Sequence, residues 1–198
     1  PPPDGLSLAR LLQETTGAIL QRTDASVLMS YHPGFGTLGQ RAAGAEWLRP
    51  HLGPIETDRL LVSPGAQSAL AAILAAACRL GDVVIAESLT YPGFRTLAAQ
   101  QGLRLLGCPS DDEGAIPERL ERLCAEAKPK AVYLIPAMQN PVATTMGEGR
   151  RRAVAGIIAR AGAWLIEDDP YSRLVETPPP ALATLIPGRA FHIGTLAK

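Results

Sequence analysis

Short apolar runs alternate with amphipathic stretches along most of this chain. The runs Arg59–Ser63, Asp82–Glu87, Leu103–Cys108, Lys130–Ile135, Ala163–Glu167 and Ala190–Ile193 are dominated by Leu, Val, Ile and Ala and are bounded by polar, Gly or Pro residues. Brief apolar runs of this kind predict strands buried on both faces. Between them, Ala66–Arg79, Tyr91–Gln101, Pro117–Ala127 and Glu148–Ala161 predict helices, with Pro117 in a first turn, where its missing N–H costs nothing. Upstream, Ser7 is placed to cap a helix carrying Leu8, Leu11, Leu12, Ile19 and Leu20 on one face, and a smaller helix runs through Arg41, Ala45 and Trp47 to Pro50. Strands alternating with helices predict an α/β fold, a mostly parallel sheet flanked by helices on both faces. The division that follows is an N-terminal arm with helices over residues 1–50 and a large domain over residues 51–198.

Composition narrows the function classes. The chain has 198 residues, 46% of them hydrophobic, and a formal net charge of zero. That length supports a real core, and the balanced charge leaves no electrostatic footprint for nucleic acid or an anionic membrane. Cys78, Cys108 and Cys124 are odd in number, far apart and set among apolar residues, so they read as buried free thiols of a reducing compartment. His32, His51 and His192 have no ligand spacing and read as structural or surface residues; no metal is expected. No apolar run approaches the ~20 residues that span a bilayer, which makes a cytoplasmic protein the expectation. The Pro1-Pro2-Pro3-Asp4-Gly5 start resembles a linker, and Lys198 follows a strand-like run without a closing helix. Both ends suggest part of a longer polypeptide.

The loops after the strands carry the candidate chemistry. Ala163-Trp164-Leu165-Ile166 runs straight into Glu167-Asp168-Asp169-Pro170-Tyr171, and open α/β sheets bind ligands at such strand ends. Three consecutive carboxylates repel one another, so at least one is expected to face a cation. Gly65, Ala66 and Gln67 open a helix whose N–H groups and dipole suit a phosphate. Tyr91 is placed to stack on a flat ligand, and Asn140 and Tyr171 to hydrogen-bond one. Thr195 and Lys198 follow the last strand. Taken singly, each has an ordinary structural reading as a turn, a cap or a solvated chain end. Together they are the parts of a pyridoxal 5'-phosphate site: a phosphate seat, a ring stacker, a carboxylate to keep the ring nitrogen protonated, and a lysine to join the aldehyde.

The stretches Ser63-Pro64-Gly65-Ala66-Gln67, Tyr91-Pro92-Gly93, Gln139-Asn140-Pro141, Glu167-Asp168-Asp169-Pro170-Tyr171 and Gly194-Thr195-Leu196-Ala197-Lys198 resemble, in order, those of the class I/II aminotransferases of the fold-type I pyridoxal phosphate family. The resemblance implies Lys198 as the Schiff-base lysine, Asp168 as partner of the pyridine nitrogen, and Asn140 and Tyr171 as ligands of the ring hydroxyl. It implies Tyr91 stacked on the ring, and the backbone at Gly65, Ala66 and Gln67 with the Thr195 hydroxyl on the phosphate. Tyr31 resembles the family tyrosine that reaches the neighbouring subunit's phosphate, which implies a homodimer. Tyr31-His32-Pro33-Gly34 and Asn140-Pro141-Val142-Ala143-Thr144-Thr145-Met146 are similar to MocR-type regulators of the GntR superfamily, in which a winged-helix DNA-binding domain precedes an aminotransferase-like domain. That subgroup implies an effector-sensing domain for an amino acid or amine, with DNA bound only through a winged helix outside this chain. A stand-alone amino-acid aminotransferase is the alternative. Ala66 and Ala197 stand where many members carry hydroxyl residues. The family's basic phosphate ligand and carboxylate-binding arginine are expected beyond Lys198.

Two other readings compete. Gly34, Gly36 and Gly39 spell a Gly-x-Gly-x-x-Gly after Val27-Leu28-Met29, the fingerprint of a dinucleotide-binding oxidoreductase. That fold wants an acid at the end of the following strand, where Ser63 and Pro64 stand instead. The other is a degenerate relative that keeps the fold without a cofactor.

Overall fold

The computed structural model describes Gly5, residues 7–31 and residues 34–197, with only the backbone given at Leu28. Lys198, His32 and Pro33, and with them parts of two stretches singled out above, lie outside the described residues.

Three helices lead the chain: α1 (Leu8–Arg22), α2 (Ala25–Met29) and α3 (Leu38–Leu52). The Ser7 hydroxyl accepts from the Arg10 N–H, the cap expected for α1. Thr37 and Gln40 form a reciprocal capping box at the start of α3. Val27 to Met29 lie in α2, so no strand precedes Gly34 and Gly36, and the dinucleotide fingerprint lacks its context.

The core follows as α4 (Ala66–Ala77), β1 (Val83–Glu87), α5 (Pro92–Gln100), β2 (Arg104–Cys108), β3 (Ser110–Asp111), β4 (Gly114–Ala115), α6 (Pro117–Ala127), β5 (Ala131–Leu134), α7 (Glu148–Ala161), β6 (Trp164–Asp169) and β7 (Ala190–Gly194). The main sheet has the order β2-β1-β5-β6-β7, and every neighbouring pair is parallel. Helices cover both faces. Ile85, Val132, Leu134 and Leu165 pack on one side with α6 and α7. Val84, Ala86, Tyr133 and Ile166 pack on the other with α4 and α5. The two-residue alternation of buried side chains on both faces is why these strands are apolar throughout.

Arg59–Ser63 does not form the expected strand. Thr57–Arg59 is a single 3-10 turn, and of the segment after it Leu61 is 74% exposed. The Val62 N–H donates to the Phe35 carbonyl at 3.0 Å instead of joining a ladder. An apolar run becomes a strand only where a ladder partner accepts it. Conversely, β3 and β4 form a small hairpin that the apolar pattern does not reveal; Asp111 accepts from the Glu113 N–H at 2.9 Å, and Gly114 takes φ +90°.

Arg151 anchors this core. Its guanidinium is 1% exposed and donates to the carbonyls of Met146 (2.9 Å), Pro136 (2.9 Å) and Pro180 (3.0 Å), with Glu167 at 3.7 Å. Burial holds its pKa below the usual arginine value, opposed by Glu167 and Asp169. Cys78, Cys108 and Cys124 are buried and free, as expected. Among the described residues no helix is long and apolar enough to cross a membrane. Arg151→Ala would strand the fully buried Glu167 charge and three carbonyls, so a loss of about 3–5 kcal/mol in denaturant unfolding is expected; a loss below about 1 kcal/mol would contradict this role.

Candidate functional site

From β1 the chain crosses through α5 to β2 on one side, and later returns through α6 to β5 on the other. The loops leaving the carboxyl ends of β1 and β5 therefore part in opposite directions. Such a switch point opens a crevice at the sheet edge. Tyr91 follows β1, Asn140 follows β5, Asp168 is the last but one residue of β6 and Thr195 follows β7, so the topology brings these four to one edge.

The start of α4 belongs to the same edge. The Gln67 Nε2 donates to the Gly93 carbonyl at 3.3 Å, tying the first turn of α4 to the first turn of α5. Gly65 precedes α4 with φ +101°, a conformation that glycine adopts without strain. Ser63 Oγ donates to the Gly65 carbonyl at 3.0 Å. The first-turn N–H groups at Ala66 and Gln67 have no intrahelical acceptor, the arrangement from which helix termini can offer N–H groups to an anion. Tyr91 is half-buried, its ring folded over Gly93; a Cβ at position 93 would come within 2.5 Å of the ring and hydroxyl, so a larger residue there would displace the Tyr91 ring.

Asn140 is half-buried in the loop after β5, and its neighbour Gln139 braces that loop. The buried Gln139 Nε2 donates to the Leu89 carbonyl (2.6 Å) and Glu87 Oε2 (3.2 Å), while its Oε1 accepts from the Val142 N–H (3.1 Å). Tyr171 is half-buried just beyond β6, and its carbonyl accepts from the Leu174 N–H at 2.9 Å. Thr195 Oγ1 accepts from the Ala197 N–H at 3.1 Å. Tyr31 is fully exposed after α2.

The centre of this edge is Asp168. Its carboxylate is buried, and Oδ2 accepts from the Tyr133 hydroxyl at 2.6 Å. Tyr133 is in turn stacked on Phe94, with ring centroids 3.8 Å apart and planes within 4°. Asp168 Oδ1 is buried with no hydrogen-bond partner among the described residues. Burial raises the Asp168 pKa above the usual range; the Tyr133 hydrogen bond works against this, and the adjacent Asp169 charge reinforces it. An acceptor aimed at nothing inside a protein is costly unless a donor arrives.

The neighbouring acids face the other way. Glu167 accepts from the N–H groups of Leu182 (2.8 Å) and Ala183 (2.7 Å) and lies 3.7 Å from Arg151, the cation expected beside the triplet. His192 Nδ1 is 3.2 Å from Glu167 Oε2. Asp169 accepts from the Ser172 N–H at 3.1 Å, and its Oδ2 is 3.0 Å from His51 Nε2. Burial alone would raise the Asp169 carboxyl, but its contacts with His51, Ser172 and His192 outweigh this and bring it below the usual range.

Three features were not found from the sequence. Tyr133 sits inside an apolar run, where its one polar atom was the only signal. Glu87 ends β1 as Asp168 nearly ends β6, and it was passed over. His51 and His192, read as unrelated, meet with ring centroids 5.7 Å apart. A cavity of about 280 Å³ lined by Ala76, Arg79, Lys130 and Trp164 lies at the opposite, amino edge of the sheet, away from these groups.

Residues 3–198 match the family described as aminotransferase class I and II. The chain is 32% identical over 196 residues to the uncharacterized HTH-type transcriptional regulator YdeF of Bacillus subtilis, covering 99% of this chain and 42% of that protein. It is 32% identical over 202 residues to aromatic-amino-acid aminotransferase 1 of Thermococcus litoralis, covering 95% of this chain and 47% of that one. The Pyrococcus horikoshii kynurenine aminotransferase, solved in complex with PMP, superposes with a TM-score of 0.87 at 28% identity, over 96% of this chain and 49% of its own. The chain thus spans about half the length of these relatives or less.

Burial raises the Glu87 pKa from 4.5 to about 7, with the Gln139 and Ile135 hydrogen bonds opposing it. The folded state keeps this proton where the unfolded chain has lost it, so Glu87 makes stability fall as pH rises from about 4.5 to about 7. At ~1.36 kcal/mol per pKa unit the effect is on the order of 3 kcal/mol. Denaturation of Glu87→Gln across that window should show a shallower decline than the parent; parallel curves would contradict the assignment.

Proposed function

Because the chain belongs to the aminotransferase class I and II family, we propose that it is a pyridoxal phosphate-binding domain that senses an amino acid or amine within a MocR/GntR-type transcriptional regulator. The observation that carries the cofactor reading is the buried, unpartnered Oδ1 of Asp168. A protonated pyridine nitrogen is a donor of the right charge for that position, and it would relieve the cost of burying the carboxylate. The residues present fit the group.

In this reading the Ala66 and Gln67 N–H groups, beside Gly65, and the Thr195 hydroxyl hold the phosphate. Tyr91 stacks on the ring, Asn140 and Tyr171 bond its hydroxyl oxygen, and Lys198 is the attachment point. Tyr133, through its 2.6 Å bond and its stack on Phe94, fixes the Asp168 carboxylate in place. When bound, the cofactor supplies an electron sink for a substrate amine. Tyr31 of a second copy completes the phosphate site in a homodimer, and the exposed Leu8, Leu12 and Leu20 of α1 support such a partner. Residues 1–50 serve as the arm and 51–198 as the cofactor-binding large domain. DNA is bound through a winged helix ahead of Pro1, in the cytoplasm. The likeness to YdeF over 99% of the chain supports the regulator, and the equal identity to the T. litoralis enzyme favours a stand-alone amino-acid aminotransferase as second reading.

Borohydride treatment of the cofactor-loaded protein should leave a pyridoxyl group on Lys198 by peptide mapping, and none in Lys198→Ala, which keeps non-covalent binding. Loss of a charge-assisted bond is worth about 1.5–3 kcal/mol, so Asp168→Ala should weaken cofactor affinity about 10–100-fold, and Tyr133→Phe by less. Unchanged affinity in Asp168→Ala would overturn the cofactor reading. The regulator and the enzyme part on two measurements. The gene should encode a winged helix upstream of Pro1, and the protein should not turn over amino acids with 2-oxo acids; turnover without a winged helix would establish the aminotransferase.

A further inference from the structure

The second ionisable cluster lies on the opposite face of the sheet from Asp168 and plays no part in the site above. On β6 the two-residue period sends Asp168 toward α4 and α5, and Asp169 with Glu167 toward the other layer. His192 lies on β7 in register with Glu167, on that same face. His51 comes from the last turn of α3, far away in sequence. One ligand atom each of His51, Asp169 and His192 lies within 4.8 Å of the others. Their side chains are 8%, 2% and 6% exposed.

The hydrogen bonds of this cluster run outward, from His192 to Glu167 and from Ser172 to Asp169. His192 Nδ1 is paired with the Glu167 carboxylate at 3.2 Å, an acceptor, so Nδ1 carries the proton. In the neutral ring Nε2 then presents a lone pair, and it points toward Asp169 Oδ2 at 3.8 Å, also an acceptor. His51 Nε2 is buried and 3.0 Å from the same oxygen, but off the line of a hydrogen bond, and it has no other partner among the described residues. The Asp169 Oδ1 is already used by the Ser172 N–H. Arg151 pairs with Glu167, and among the described residues no arginine or lysine forms an ion pair with Asp169. Three electron-pair donors lying within 4.8 Å of one another form the kind of set that a metal ion binds. A carboxylate on the far nitrogen of a ligating histidine is the usual outer support of such a site, fixing the tautomer and the ring.

We propose that His51 Nε2, His192 Nε2 and Asp169 Oδ2 form a binding site for a divalent transition-metal ion, zinc by its nitrogen and oxygen donors, with Glu167 holding His192. The ion completes its fourth position with water and fastens α3 to the strand end that carries Asp168. A tetrahedron with ~2.0–2.1 Å metal–ligand bonds has edges of about 3.3–3.4 Å. The two separations to Asp169 Oδ2, 3.0 and 3.8 Å, fall on either side of that, and the two histidines lie within 4.8 Å of each other, so binding draws the side chains together around the ion.

The test uses chelator-treated protein titrated with Zn²⁺ alone by calorimetry, and with Co²⁺ followed by visible absorption. One equivalent per chain, a tetrahedral cobalt spectrum, and a Tm that rises with Zn²⁺ are expected. His51→Ala and His192→Ala should each weaken binding at least tenfold and abolish the Tm response; Asp169→Asn, which preserves the shape of the site, should do the same if the other two fold poorly. Cofactor absorbance should be retained in His192→Ala, which separates this site from the one built on Asp168. Absence of stoichiometric Zn²⁺ binding, or equal binding by parent and variants, would overturn the proposal and leave the cluster as a hydrogen-bonded network on a charged imidazole.

Discussion

Three adjacent carboxylates at the end of one buried strand are tolerable only because the strand's two-residue period separates them. Glu167 and Asp169 face one helical layer, Asp168 the other, and each meets different chemistry. Glu167 is satisfied by two backbone N–H groups and the buried Arg151 guanidinium. Asp169 meets a backbone N–H and two imidazoles. Asp168 receives one phenolic hydrogen bond and keeps an oxygen bare. The parallel sheet, with both faces buried, is what makes these differences consequential: charges in water would interact weakly and need no partners.

The contrast between Asp168 and Asp169 shows how environment assigns a role to identical side chains. Burial pushes both upward, but the close contacts of Asp169 with His51, Ser172 and His192 bring it below the usual range, whereas Asp168 stays above it. A carboxylate held above its ordinary pKa, fixed by a stacked tyrosine and open on one oxygen, is poised for a positively charged donor. Glu87 at the end of β1 is different again: it keeps its proton to about pH 7 and is bound to Gln139, which braces the loop holding Asn140. Residues that brace the loops and the candidate cofactor residues are therefore interleaved along the same carboxyl edge.

Most of the fold was legible because buried parallel strands are apolar on both faces, and β1, β2, β5, β6 and β7 all fall where such runs occur. The Arg59–Ser63 run has the same composition and fails, since composition cannot say whether a neighbouring edge is free to pair. The candidate residues at the strand ends stand out in the sequence through their order along the chain and the family resemblance, and the topology brings Tyr91, Asn140, Asp168 and Thr195 to one edge. Tyr133, Glu87 and the pairing of His51 with His192 were not: each depends on contacts between positions 35 to more than 100 residues apart, and no local pattern encodes those. The glycine fingerprint at Gly34 and Gly36 failed for the converse reason, a local pattern whose required strand is a helix.

In the proposed function, the Asp168 oxygen that has no partner among the described residues meets a protonated ring nitrogen of the cofactor. The direct measurement is the ¹⁵N chemical shift of pyridoxal phosphate labelled at its ring nitrogen and bound to the protein, in parent and in Asp168→Asn. A protonated nitrogen at neutral pH in the parent, lost in the variant, is the predicted result. A nitrogen that is unprotonated in the parent, or unchanged in the variant, would contradict it.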